Sequence, residues 1–305
     1  MIMRYVLSLV CLTSCALTPH GPSTLAEFEA HSSRVTAGGD YATLTGLSPV
    51  DDWALLLWTS RSHKAPETYP FHVPLFANGV EELDVDRALA LAAFSGDALF
   101  LPDVSTLDPA TAAALASGPH ELFLDGLTSI SAETARAIVA GGTSRLSLKG
   151  VVDLDPETAA VLAELDASLH LDGLAAPSLK TVQALATWKG WGEQVILHVG
   201  VVEPTIEAIH ALAAIEGWGL ALDQVRTLSP ARARALGAIE RPYVALNGLR
   251  SIPNASAEVM AGWRAKFVTL NGLATLSDQN RNSIERGCEH LSTRSIITRN
   301  IAPER

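Results

Sequence analysis

An α/β solenoid, with a parallel β-sheet on one face and short helices on the other, is the architecture this sequence predicts. Three observations predict it. A pattern close to Leu-x-Leu-[Asp/Asn]-Gly-Leu returns every 23 or 24 residues between Leu75 and Ile284. Glycine recurs at one place in the pattern, at Gly79, Gly126, Gly150, Gly173, Gly200, Gly248 and Gly272, with Asp103 and Gln224 as the exceptions. Helix-start signals follow at a fixed offset, as Asp108-Pro109, Asp155-Pro156 and Ser229-Pro230.

The strand comes first in each copy. Leu122 and Leu124 alternate with Phe123 and Asp125, so an extended segment puts the leucines on one side and the other two residues on the opposite side. The turn at Asp125-Gly126 requires either a positive backbone angle or close approach of a neighbouring coil, and glycine serves both. The helix then starts where Asp or Ser caps and Pro fits the first turn. Ser131 stands two residues before Glu133, one short of a capping box but with an acid in the first turn. One coil cannot bury its leucines alone, and stacked neighbours make a continuous core. Nine coils are keyed by positions 79, 103, 126, 150, 173, 200, 224, 248 and 272.

The repeats occupy residues 75–286, before a C-terminal cap or tail at 287–305. Leu44 to Val50 reads as a degenerate copy inside an N-terminal cap at 34–74, which also holds Trp53 and Trp58. Residues 15–33 form a linker with a short helix, and residues 1–14 a signal peptide.

That signal has one basic residue, Arg4, and an apolar run from Tyr5 to Leu12 that is too short to span a bilayer. Leu12-Thr13-Ser14-Cys15 resembles the lipobox of bacterial lipoproteins; the alternative is an ordinary signal with Cys15 incidental. The resemblance implies that Cys15 becomes the acylated first residue. Three acyl chains would bury dozens of methylenes at about 0.8 kcal/mol each, which makes anchoring permanent. With Ala16 and not Asp after the cysteine, the resemblance further implies sorting to the outer membrane, in a cell that has one, or to the cell surface. Cys288 is the one cysteine left in the body, so no internal disulfide is expected. With Glu289 and His290 it lacks the paired spacing of structural zinc.

A net charge of −11 argues against nucleic acid and anionic lipid, which need a basic surface. The chain has no Gly-x-Ser-x-Gly elbow, His-Glu-x-x-His helix, Gly-x-x-x-x-Gly-Lys loop or Cys-x-x-Cys pair, which matches a scaffold more than an enzyme. Neither cofactor nor metal is assigned.

Two outward rows follow from the strand pattern. The first reads Phe76, Phe100, Phe123, Ser147, His170, Leu197, Ala221, Ala245 and Thr269. Its three phenylalanines form a ladder that either binds a partner or lies beneath the cap with Trp53, Trp58, Tyr69 and Phe71. The second reads Asn78, Pro102, Asp125, Lys149, Asp172, His198, Asp223, Asn247 and Asn271. It makes Asp172, His198 and Asp223 neighbours with His170 close by, a set able to act as a general base or hold a metal. The plainer reading is that Asp or Asn before Gly satisfies the local turn. The repeat that contains Trp188 and Trp191 is 27 residues long, and its excess is expected to project as a loop.

The pattern as a whole resembles bacterial leucine-rich-repeat proteins, over roughly residues 75 to 284. It differs from their common signature in the Asp or Asn directly before Gly and in its alanine-rich helices. The resemblance implies a concave sheet that binds partners. With the lipobox it implies an envelope lipoprotein serving as a protein-interaction or structural scaffold, its protein partner in the envelope unknown and its membrane contact through Cys15. The alternative is a carbohydrate or peptidoglycan-fragment binder or, further off, a hydrolase using the His/Asp cluster.

Overall fold

A computed structural model describes residues 35–38, 41–45, 74–92, 98–118, 121–190 and 195–293. The chain forms two compact units, Met1–Ser147 and Leu148–Arg305.

In the first unit β1 (Val35–Gly38) pairs antiparallel with β2 (Tyr41–Thr45), and every later pairing is parallel. Strands β3 (Pro74–Asn78), β4 (Ala98–Phe100), β5 (Glu121–Phe123) and β6 (Arg145–Ser147) follow in sheet order. Between them run α1 (Val85–Ala92), α2 (Pro109–Leu115) and α3 (Ala132–Gly141). Leu75, Leu99, Leu122 and Leu146 share one register position, and all are at most 1% exposed.

The second unit repeats the arrangement. It contains α4 (Pro156–Leu162), β7 (Ser168–Leu171), α5 (Leu179–Leu185), β8 (Ile196–Val199), α6 (Ile206–Leu212) and β9 (Gly219–Ala221). It continues through α7 (Pro230–Leu236), β10 (Tyr243–Ala245), α8 (Asn254–Met260), β11 (Ala265–Thr269), α9 (Asp278–Glu285) and β12 (Cys288–Ser292). Leu169, Leu197, Leu220, Val244 and Val268 form the buried row. β12 pairs parallel with β11, so the ladder runs on past Arg286 to Ser292. Each unit is thus an α/β solenoid segment, with parallel strands alternating with short helices around a leucine core.

The turn glycines are needed for space more than for backbone angle. A Cβ on Gly272 would overlap the Asn247 carbonyl oxygen, and one on Gly248 the Asp223 carbonyl oxygen. Positive φ occurs among the described glycines only at Gly79 and Gly142. A second repeated contact joins the helices. Thr134 Oγ1 donates to the Leu107 carbonyl at 3.1 Å, Thr181 Oγ1 to Leu154 at 2.9 Å, Ser256 Oγ to Leu228 at 2.6 Å and Asn280 Nδ2 to Ile252 at 2.9 Å. Each buried polar side chain thereby satisfies a carbonyl just ahead of the preceding coil's helix.

The helix caps follow the sequence signals. Asp155 accepts from Glu157 N–H and Thr158 N–H, both at 2.9 Å, and from Thr158 Oγ1 at 2.6 Å. The Thr158 hydroxyl and amide hold its carboxyl below the usual carboxylate range, against a smaller opposing effect of burial. Asp155→Ala should therefore cost about 1 kcal/mol at neutral pH. Because the folded-state value is depressed, this contribution is present above the unfolded aspartate range and is lost as pH falls through the folded value. Urea midpoints of wild type and variant should differ at pH 7 and converge in acid; a gap that stayed constant with pH would assign the loss to something other than the charged cap.

Candidate functional site

Phe76, Phe100 and Phe123 occupy one register position on β3, β4 and β5. Strands about 4.8 Å apart leave neighbouring rings little choice but to stack. Ring centroids lie 4.3 and 4.0 Å apart, with interplanar angles of 20° and 11°. All three side chains are half-buried, so part of each ring reaches the surface. The row passes to Ser147 on β6, which is buried and donates its hydroxyl to Asp125 Oδ1 at 2.5 Å. At the other end of the same strands Arg145 and Glu121 form an ion pair at 3.4 Å. Trp53, Trp58, Tyr69 and Phe71, which the alternative reading places over the ladder, lie outside the described residues, as do Cys15 and the signal segment.

In the second unit the register corrects one assignment. Leu197 pairs with Leu169 in the buried row, and His198 pairs with His170 on the outward face. A count back from Gly200 places Leu197 outward and His198 in the second row, one residue off the observed register. The reason is a missing residue: Leu171 is opposite Val199, and Gly200 follows at once, without the residue that stands before the turn glycine in the other coils, such as Asp125, Lys149 or Asp172. Gly200 N–H donates to the Leu171 carbonyl at 2.9 Å.

His170 and His198 are consequently stacked, with centroids 3.9 Å apart and an interplanar angle of 17°. Asp172 Oδ2 stands 3.7 Å from His170 Nδ1, an ion-pair distance too long for a hydrogen bond. Both atoms are buried and lack a hydrogen-bond partner. His170, Asp172 and His198 each offer one donor atom, and these atoms all lie within 4.8 Å of one another. Asp223 stands apart from this trio by its bonding, since its Oδ1 accepts Asn247 N–H at 2.9 Å. Asn247 Oδ1 in turn accepts Asn271 N–H at 2.9 Å, so the turn-satisfying reading holds for both. Burial pushes the Asp223 carboxyl up, and the Asp172 charge adds to that. For Asp172 burial acts upward too, but His170, His198 and Lys149 together outweigh it and hold the carboxyl below the usual range.

Three further placements bear on the sequence reading. Trp188 does not project: it is fully buried, and Trp191 lies outside the described residues. The Cys288 thiol is half-buried and donates to the Ile284 carbonyl at 3.4 Å, and burial together with Glu285 pushes its pKa up. The third was not anticipated. Trp218, Tyr243, Phe267 and His290 form a second aromatic row, with Trp218–Tyr243 at 5.3 Å, Trp218–Phe267 at 5.8 Å and Phe267–His290 at 4.9 Å. It lies two positions before the first outward row, and reading the repeat at that offset finds three of its four members.

No protein-family model matches the chain, and no curated protein does. Among solved structures, a chain of the Toll–Spatzle complex, titled a molecular hub in Drosophila development and innate immunity, is similar at a TM-score of 0.40 and 10% identity. The likeness covers 83% of this chain and 30% of that one, so this chain spans less than a third of the matched protein. At that level the repeat architecture rests on the strand register and the leucine core. Among the described residues no helix is long and apolar enough to cross a membrane.

Proposed function

We propose that this protein is an exported, lipid-anchored scaffold of the cell envelope that binds a protein partner across the sheet face bearing Phe76, Phe100 and Phe123. The observation that carries this reading is the ladder itself: three stacked, half-buried rings in register on a sheet face, where apolar side chains serve recognition better than solubility. The fitting partner surface is apolar, and the rigid strands present the rings at little entropic cost. Anchoring through Cys15 is supported by Leu12-Thr13-Ser14-Cys15.

Crosslinked capture from intact envelopes tests the reading, comparing wild type with a Phe76→Ser, Phe100→Ser, Phe123→Ser variant whose fold is checked by circular dichroism. A partner held by wild type and lost by the folded variant is the expected result; equal capture would move the site elsewhere. If the triple variant unfolds, the single Phe100→Ser change should still lower capture. A glycan-binding reading is favoured by one observation, the Trp218, Tyr243 and Phe267 row, since sugar rings pack against aromatic faces. Retention on purified cell-wall material would support it.

A further inference from the structure

We propose that His170, Asp172 and His198 form a binding site for one divalent transition-metal ion, of which zinc is the representative. This goes beyond the scaffold reading and is independent of the phenylalanine ladder, which lies in the other unit.

The first ground is unsatisfied chemistry. His170 Nδ1 and Asp172 Oδ2 are buried, face one another at 3.7 Å and have no hydrogen-bond partner. Buried polar atoms in native proteins are nearly always satisfied, so each such exception needs a physical reason. A cation between an imidazole nitrogen and a carboxylate oxygen would satisfy both atoms at once. The two side chains are 16% and 20% exposed, which excludes most solvent yet leaves a path for an ion.

The second ground is where the exception arises. In two later coils the side chain at the corresponding position is used up by the next coil: Asp223, before Gln224, accepts Asn247 N–H, and Asn247, before Gly248, accepts Asn271 N–H. Asp172 occupies the same place, but the next coil omits the matching residue and its Gly200 N–H goes to the Leu171 carbonyl. The carboxylate is thereby released from the turn. The same coil sets His198 beside His170, so the repeat departs from its rule just where three donors meet.

The third ground is the donor set. Two imidazoles and one carboxylate suit zinc and its first-row neighbours, whereas calcium and magnesium call for oxygen ligands. Ligand bonds of about 2.0–2.2 Å place two donors on a tetrahedral ion roughly 3.4 Å apart. The present donors lie within 4.8 Å, and parallel stacked rings aim their nitrogens side by side, so the ion draws the two rings out of their stack. Three protein ligands leave one position open, the arrangement of zinc sites that bind an exogenous ligand or water. Asp223 supplies a second carboxylate nearby, and Lys149 is the cation that a bound metal opposes.

The test uses the untagged full chain, stripped with chelator and dialysed to equilibrium against zinc. Wild type is expected to retain one zinc per chain at micromolar or lower free zinc, and His198→Gln and Asp172→Asn each to weaken binding tenfold or more. His290→Gln, a histidine outside the cluster, should leave it unchanged. In wild type, zinc should shift the imidazole nitrogen resonances of His170 and His198 while those of His210 and His290 stay put. That readout decides the matter even where a variant fails to fold. The proposal is overturned by substoichiometric zinc in wild type, by full retention in both folded cluster variants, or by zinc shifts confined to other histidines.

Discussion

Trp188→Ala should lower the stability of the second unit by about 3–5 kcal/mol, the range for removing a large buried aromatic. The residue follows α5 and is 0% exposed. Two glycines make room for it: a Cβ on Gly190 or on Gly217 would overlap the indole ring, and the Glu216 N–H donates to the Trp188 carbonyl at 3.2 Å. Backbone has thus closed around the side chain on two sides, and a site so enclosed collapses poorly when emptied. The indole Nε1 is buried without a hydrogen-bond partner. Trp188→Phe keeps most of the volume and removes that orphan donor, so its cost should stay below about 1.5 kcal/mol. Urea denaturation of the two variants checks the difference. Hydrogen exchange should locate the Ala variant's lost protection in α5, β8 and α6, because coupling in a repeat array runs between nearest neighbours. Equal losses for Phe and Ala would mean that the full outline of the indole between Gly190 and Gly217, not buried volume alone, holds the site together.

What the sequence makes legible here is whatever repeats without exception. Leu122 and Leu124 alternate with Phe123 and Asp125, and that alternation, repeated every 23 or 24 residues with a helix between copies, predicts the parallel strands and the phenylalanine ladder. The caps at Asp108, Asp155 and Ser229 are legible because a side-chain acceptor before proline has few other uses. The helix-joining contacts of Thr134, Thr181, Ser256 and Asn280 are not, since four residue types fill one role and no single letter recurs. Trp188 and Trp191 illustrate another limit: a longer repeat reads as a projecting loop, yet in the fold the extra length includes a side chain buried against the next coil.

The His/Asp cluster lay in view but one residue out of register. Gly200 served as the marker for its coil, and counting backward from a marker assumes a constant distance from strand to turn. β8 breaks that assumption, and only the ladder pairing of Leu169 with Leu197 reveals it. Residue types were enough to suspect His170, Asp172 and His198; the stacking of the two histidines and the release of Asp172 depend on that one omitted residue. The row pattern groups Asp223 with them, whereas its acceptance of the Asn247 N–H ties it to the turn.

The turn glycines carry the second large effect. Gly272→Ala is expected to destabilise by an amount in the upper part of the roughly 1–3 kcal/mol range for overpacking. The added methyl would overlap the carbonyl oxygen of Asn247, with the Leu249 carbonyl oxygen 3.0 Å away on the same approach. Both are backbone atoms, and neither can swing aside as a flexible side chain would. Relief must come from separating neighbouring coils, which weakens the ladder between β10 and β11. Two other glycines separate space from backbone angle. Gly142 has φ of 73° and open space around its Cβ direction, so Gly142→Ala should cost about 1 kcal/mol from conformation alone. Gly262 has neither constraint, its nearest approach being the Val259 carbonyl oxygen at 3.5 Å. Gly262→Ala should be neutral or stabilising by about 0.4–1 kcal/mol through the unfolded chain. Denaturation midpoints of the three variants should therefore fall in the order Gly272→Ala lowest, Gly142→Ala intermediate and Gly262→Ala highest. Were Gly142→Ala the most damaging, backbone angle would outweigh coil-to-coil contact in fixing where this chain needs glycine.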